Sequence, residues 1–355
     1  MGIIKINRGY NQKLHHFIKG EFQLIKKSWA LAVIILIFLC ILFISRLKLQ
    51  VNYLSASENA SSCNNMPILQ AIYSDQFIIY SPYSEEDFRF KGQIHCHTQA
   101  SDGNNTPQEI MEAYRSLEYQ FVAITDHDLV TKDPGVPGIL FISGVEESSS
   151  SGHILGIGVK SQTDETHPDK VIDYIQEKGI AIYAHPNRWS FSNGWSLKEL
   201  LSAPEAWGIE VINAKRWRTN AENKWDALLT RGYQIWGTAG DDCHSITQDI
   251  NQAWIVVATP HLSEDNIITA LRNGNFYSTE GPDLSVRVYP DRIIARTNAE
   301  ATIEWITKGG TKSKVTSGVT EDSYFIKGDE GYIRVAIIRD EDQKKALGQP
   351  VFIER

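Results

Sequence analysis

Histidines and carboxylates recur in short clusters through the middle of this 355-residue chain, and they constrain its fold more than any other feature. Gln93-Ile94-His95-Cys96-His97 is followed by Ser101-Asp102-Gly103 and Thr125-Asp126-His127. Farther on come Gly144-Val145-Glu146, His153-Ile154-Leu155-Gly156, Ala184-His185-Pro186 and Asp242-Cys243-His244. Imidazole combined with carboxylate suits divalent metals of borderline softness, such as zinc, manganese or iron. The spacing of two in His95-x-His97 and Asp242-x-His244 predicts that each pair lies on an extended strand with both side chains on one side. Clusters repeated in this way exceed what structural histidines account for, and a metal-dependent hydrolase is expected.

Between the clusters the pattern alternates strand and helix. Gln93–His97, Phe121–Thr125, Leu140–Ser143, Ile154–Val159, Ile180–Ala184 and Ile209–Asn213 read as strands, and Tyr233–Gly237 leads to Asp242. Thr106-Pro107-Gln108-Glu109 is a capping box with proline at the first helical position, opening a helix to about Leu117. Further helices are expected over Thr166–Lys178, Ser196–Leu201, Ala221–Thr230 and Ser263–Asn273. Such alternation is an α/β pattern with a parallel sheet, and metal-type residues after successive strands argue for closure into a barrel. Beyond about residue 284 the texture changes to short alternating strands separated by Gly, Asp and Asn, which predicts a small all-β, sandwich-like domain. The apolar pieces of residues 69–90, Phe77–Tyr80 among them, are expected to lead into the barrel.

The ordered set of motifs resembles the PHP ("polymerase and histidinol phosphatase") metallohydrolases over residues 88–283. The segment Arg272–Ser278 and the tail Gly348–Ile353 are similar to the branch named for carbaryl hydrolase, which contains carbamate-ester chemistry beside phosphoesterases. The resemblance implies a distorted (β/α)7 barrel with two or three divalent metal ions at its C-terminal mouth, and phosphoester hydrolysis by a metal-bridged hydroxide. Carried over position by position, one metal takes His95, His97, Glu146 and Asp242, which are also the catalytic candidates. A second shares Glu146 and adds His153 and His185, and a third uses Asp102, His127 and His244. Glu146 is preferred to Glu147 because it directly follows Gly144-Val145. Asp126 and Asp241, next to candidate ligands, are read as supports rather than ligands. Arg188, Lys215 and Arg216 follow the motif strands and are candidates for binding a substrate phosphate. Glu210 either lines the site or packs on a neighbouring strand.

Charge divides the chain sharply. Residues 1–50 carry eight Lys/Arg against Glu21 alone, so the formal net charge of −8 leaves residues 51–355 strongly acidic. An acidic body has no basic stripe to neutralise a nucleic-acid backbone, and no nucleic-acid partner is expected. Trp29–Ile44 is an unbroken apolar run inside the uncharged segment Ser28–Ser45, long enough as a helix for about 27 Å, near the lower limit for a bilayer. The basic lead favours a cytoplasmic N-terminus. The expected organisation is a basic segment over 1–27, a transmembrane anchor over 28–46, a polar tether over 47–68, the barrel over 69–283 and the β-rich domain over 284–355. The catalytic body then lies outside the cytoplasm; cleavage near Ser55-Ala56-Ser57 and secretion is the alternative. Four cysteines are few for a disulfide framework; Cys96 and Cys243 are expected to be small buried residues, with a disulfide between them as the alternative.

The leading expectation is therefore a membrane-anchored extracytoplasmic phosphoesterase acting on a small phosphorylated substrate. The same ligands also suit carboxylic ester, carbamate or amide hydrolysis. A metal-stabilised surface binding protein without turnover is the third reading.

Overall fold

The computed structural model describes residues 69–355, apart from 75, 85–87, 189–193, 204 and 216–218. The expected anchor, its basic lead, the tether, Cys40, Cys63 and Arg216 lie outside the described residues. No helix among the described residues is long and apolar enough to cross a membrane.

Two short strands, β1 (Gln70–Tyr73) and β2 (Ile78–Ser81), precede the alternating region. That region runs β3 (Arg89–Gln93), α1 (Pro107–Ser116), β4 (Phe121–Ile124), β5 (Leu140–Glu147), β6 (Ile154–Ile157), α2 (Pro168–Gln176), β7 (Ile180–Tyr183), α3 (Leu197–Ser202), β8 (Gly208–Asn213), β9 (Thr219–Asn220), α4 (Glu222–Thr230) and β10 (Trp236–Gly240). β11 (Trp254–Ala258), α5 (Glu264–Arg272) and β12 (Phe276–Thr279) follow. The remainder is strand: β13 (Ser285–Val288), β14 (Arg292–Thr307), β15 (Thr311–Phe325), β16 (Tyr332–Arg339), β17 (Lys345–Gly348) and β18 (Val351–Glu354).

Local chemistry explains the helices. Thr106 and Glu109 close the expected capping box, each bonding the other's backbone N–H, and Pro107 occupies the first turn where its missing donor costs nothing. Ser196 and Glu199 make a second capping box for α3. α1 buries Ile110, Met111 and Tyr114, and α2 buries Val171, Ile172 and Ile175, a stripe at helical spacing. Each such apolar side chain contributes roughly 1.5–3 kcal/mol when fully buried.

β3, β4, β5, β6, β7, β8 and β10 pair in succession, in parallel except where β6 runs antiparallel to β5 and β7. A single parallel bridge between Cys96 and Cys243 then brings the chain after β10 beside the chain after β3, with the His97 N–H donating to the Cys243 carbonyl at 2.8 Å. The sheet is therefore mixed and strongly curled. Its concave end carries the metal-type residues.

Two expectations need correction. The first strand stops at Gln93 instead of running to His97. The buried Gln93 amide oxygen accepts the N–H groups of Ile94 and His95 at 3.0 and 3.1 Å, so those donors leave the ladder. Residues 70–81 do not lead into the curled sheet either. β1 pairs with β2, and β2 pairs antiparallel with β18 at the far end of the chain.

The C-terminal strands continue from the curled sheet without a gap in hydrogen bonding. β11 pairs with β3, β12 with β11, β17 with β12 and β16 with β17, all antiparallel. Side chains lock the same junction. Gln349 brackets the backbone of Gly237 on β10, accepting its N–H at 2.9 Å and donating to its carbonyl at 2.8 Å. Arg334 on β16 is 2% exposed and grips Asp226 of α4 through two nitrogens at 2.8 and 2.7 Å, with the Tyr332 hydroxyl on the same carboxylate. Removing one partner of a buried ion pair strands the other. Asp226→Ala is expected to lower unfolding free energy by about 3 kcal/mol, read by denaturant melts; an unchanged midpoint would show that Glu222, 3.1 Å from Arg334 Nη2, suffices alone.

Candidate metal centre

All nine residues expected to hold metals come together at the concave end. They form four overlapping groups of potential ligand atoms: His97, Asp102, His127 and His244; His95, His97 and Glu146; His95, His185 and Asp242; His127, Glu146 and His153. The buried Glu146 carboxylate is their common member. Its Oε1 lies 2.9 Å from His153 Nδ1 and 2.8 Å from His185 Nε2. Its Oε2 lies 3.3 Å from His95 Nε2, 3.1 Å from His97 Nε2 and 3.4 Å from His127 Nδ1. Asp242 Oδ1 faces the same space, 3.6 Å from His95 Nε2, 3.4 Å from His97 Nε2 and 3.4 Å from His244 Nδ1. Asp102 closes the more open side, 3.1 Å from His244 Nε2 and 3.5 Å from His97 Nδ1.

The backbone explains this convergence. Ser101-Asp102-Gly103 turns back onto the chain after β3, and a Cβ on Gly103 would lie 2.6 Å from the His97 carbonyl oxygen, so only glycine lets Asp102 reach the cluster. His185 and Asp242 stand just past β7 and β10 with φ of +27° and +50°, a region side-chain-bearing residues rarely adopt. Glu147, beside Glu146, points away and accepts the Thr163 N–H at 2.8 Å; burial pushes its carboxyl up to about 7.

Four imidazole nitrogens of the cluster make no hydrogen bond. His97 Nδ1 and Nε2, His127 Nδ1 and His185 Nδ1 are buried without a hydrogen-bond partner. His97 Nε2 lies within 3.4 Å of two carboxylates yet aligns with neither. An unpaired buried polar atom is costly, whereas lone pairs converging beside carboxylates are what a borderline divalent cation requires.

The electrostatics are those of a cluster in which protons stand in for cations. Burial opposes a charge on His95, but Glu210, Asp242 and Glu146 outweigh it and hold the ring well above its ordinary value. His97 shows the same contest, burial against Asp242 and Glu146, and is raised to about 9. Burial alone would raise Glu146 and Asp242; His95 and the other cationic neighbours instead hold both carboxyls well below the usual range. Burial lowers His127 to about 4, and also lowers His185 and His244.

The cationic candidates divide. Arg188 donates from Nη2 to Asp242 Oδ2, and Lys215 Nζ lies 3.8 Å from Asp242 Oδ1 and against the His244 ring. Arg216 lies outside the described residues. Asp126 spends its oxygens on the loops after β3 and β4, accepting from Thr98 N, Thr98 Oγ1, Ser101 Oγ and Thr131 Oγ1. Asp241 accepts three backbone N–H groups, from Asn251, Gln252 and Ala253, and the Tyr114 hydroxyl. Cys96 and Cys243 are buried free thiols. Asn213, which the sequence did not single out, and Glu210, whose place it left open, also reach the cluster. Asn213 donates to Asp242 Oδ2 at 3.1 Å, and Glu210 contacts His95 Nδ1 at 2.9 Å. Their positions on β8, three residues apart, carried no motif signal.

No family model matches the sequence, and no curated protein matches it. Among solved structures, the chain is similar to a two-domain protein from Bacteroides vulgatus containing a predicted PHP-like metal-dependent phosphoesterase. The two share 15% identity at a TM-score of 0.45, over 80% of this chain and 98% of that one. It is also similar to an amidohydrolase from Chromobacterium violaceum with bound sulfate and no metal, at 16% identity and a TM-score of 0.34, over 43% of this chain and 87% of that one. Likenesses of this size do not bear on activity, which rests on the geometry of the cluster.

The raised His97 sets a pH test. A histidine held above its unfolded value of 6.5 contributes stability that is complete below that pH and lost as pH rises through about 9. A metal works in the opposite sense, because it displaces those protons and binds more tightly as they leave. The metal-free chain is therefore expected to lose thermal stability between about pH 7 and pH 9, while the gain on adding divalent metal grows over the same interval. A metal-free midpoint that climbs with pH would show that His97 is not held charged.

Proposed function

We propose that this chain is a metal-dependent phosphoesterase whose catalytic body is carried outside the cytoplasm on an N-terminal membrane anchor. The observation that carries the catalytic part is the Glu146 carboxylate, within 3.4 Å of five imidazoles, whose rings include four buried nitrogens that make no hydrogen bond. His95, His97, Glu146 and Asp242 would hold one cation; Glu146, His153 and His185 a second; Asp102, His127 and His244 a third. Such ions, when bound, acidify water and stabilise charge developing on a phosphoryl or acyl oxygen. Zinc, manganese and iron all suit this donor set. The ring of paired strands, with its one closing bridge, supports reading the curled sheet as the distorted barrel, and the strands from β13 onward as an accessory β-domain. The basic lead and apolar run of residues 1–46 support the anchor.

Arg188 and Lys215 border the cluster on the Asp242 side and support a phosphorylated substrate. Arg188 is partly exposed and uses Nη2 on Asp242, which leaves its remaining donors for a second anion. In this reading the pair orients the substrate and neutralises its non-reacting oxygens. A second reading, hydrolysis of a carboxylic ester, carbamate or amide, draws on the same contact, since Asp242 already answers both cations and a neutral substrate would need neither.

The test is direct. The full-length chain, purified in detergent, is assayed for metal content and for release from phosphomonoester, phosphodiester and carboxylic-ester substrates, beside His97→Ala. Metal-dependent phosphate release is expected, falling more than about 100-fold in the variant, beyond the loss typical of a group that merely supports a ligand. Turnover of carboxylic esters alone would replace the first reading by the second. Bound metal without any turnover would favour a surface binding protein.

A further inference from the structure

Glu210 lies on β8, is 2% exposed and belongs to none of the four ligand groups. Both of its oxygens accept from groups that set the cluster. Oε1 contacts His95 Nδ1 at 2.9 Å. Oε2 accepts the His185 backbone N–H at 2.7 Å and the Asn213 side-chain amide at 3.0 Å. The same Asn213 nitrogen donates to Asp242 Oδ2 at 3.1 Å. One buried carboxylate thus touches His95 directly, His185 through its backbone and Asp242 through a single intermediary.

We infer that Glu210 is the positioning residue of the centre, fixing the metal-facing nitrogen of His95, holding the strained His185 backbone and, through Asn213, orienting the Asp242 carboxylate. The inference rests on reading the cluster as a metal centre. By accepting the Nδ1–H hydrogen bond, Glu210 directs Nε2 of His95 at the space between Glu146 and Asp242, where it can serve as a ligand once its proton is displaced. By accepting the His185 N–H it pins a residue at φ +27°, which would otherwise relax toward a common conformation and carry its ring away from Glu146. The neighbourhood is built tightly around this carboxylate. A Cβ on Gly240 would lie 2.8 Å from Glu210 Oε1 and 2.8 Å from His95 Cβ.

A near-isosteric change isolates this role. Glu210 meets donors at both oxygens, and an amide has only one acceptor. E210Q must therefore turn its NH2 either toward His95, removing the acceptor that fixes the ring, or toward the His185 N–H and Asn213 amide, setting donor against donor. The experiment titrates zinc against a competing chelator into the metal-free full-length chain, and records metal-activation curves for the hydrolysis the wild type performs. E210Q is expected to bind zinc 10–100-fold more weakly, with activity restored by excess zinc. A purely structural residue would lower the melting temperature of the metal-free chain and leave zinc affinity in its folded fraction alone. Should E210Q fail to fold, E210D keeps the charge but withdraws the oxygens by one methylene, and the same weakening is expected. Wild-type zinc affinity in whichever variant folds overturns the inference and leaves the function standing. A wild-type chain that binds no zinc, manganese or iron overturns the metal-centre reading and the inference with it.

Discussion

The Glu146 carboxylate is the interaction on which the rest of the site depends. Five imidazoles stand within 3.4 Å of one buried carboxylate. Without compensating charge, those rings would leave polar nitrogens in a low-dielectric interior, where each unmade bond is costly. The protein meets this by bringing negative charge to the same point. Glu146 and Asp242 are both held ionised, and the carboxylates raise His95 and His97 in turn. The cluster is thus stable only as a neutralised whole, with protons or cations completing it.

That requirement accounts for the scaffold. The candidate ligands arrive from the ends of β5, β7 and β10, from the start of β6 and from the loops after β3 and β4, so several strand ends must be held together. The closing bridge at Cys96 and Cys243 ties the two ends that carry His95, His97, Asp242 and His244. Behind them, Asp241 gathers three backbone N–H groups from the chain leading into β11, and burial pushes its carboxyl up to about 6 despite those bonds. The C-terminal strands brace the same region from below. Gln349 replaces a missing strand neighbour at Gly237, and Ser278 donates to the Gly237 carbonyl at 2.8 Å.

The candidate ligands were legible as a cluster because each motif is local. A histidine two residues from another, or a glycine before an acid, declares itself within three positions, and all nine sites converge as their order implied. Helix starts were legible for the same reason, through Thr106 with Glu109 and Ser196 with Glu199. What was hidden depends on partners far along the chain. The extended apolar run before β3 gave no hint that β2 would pair with β18, nor did β12 reveal β17 as its neighbour. The premature end of β3 was equally hidden, since Gln93 could face solvent as well as cap its own strand. β14 reads as two short strands because register shifts interrupt its alternation, and most of β15 carries too little apolar alternation to read as a strand, although the two form one long hairpin. Glu210 lay at an ambiguous register on β8, and only the cross-strand neighbours decide that it turns toward His95.

Strain and electrostatics meet at two residues. His185 and Asp242 both adopt positive φ without being glycine, each within two residues of its strand's last ladder position. Such conformations persist only where the surroundings overdetermine them. Here the restraints are polar. Glu210 accepts the His185 N–H, while Arg188 and Asn213 hold Asp242 Oδ2 and leave Oδ1 facing the imidazoles. Arg188 is partly exposed, and one of its nitrogens keeps Asp242 turned the right way. Changing it would disturb the centre as well as any anion it receives. Lys215 is tied in the same way, since its Nζ lies 2.8 Å from His244 Nδ1 as well as 3.8 Å from Asp242 Oδ1, so recognition of an anion at this mouth and integrity of the cluster are coupled through both cations.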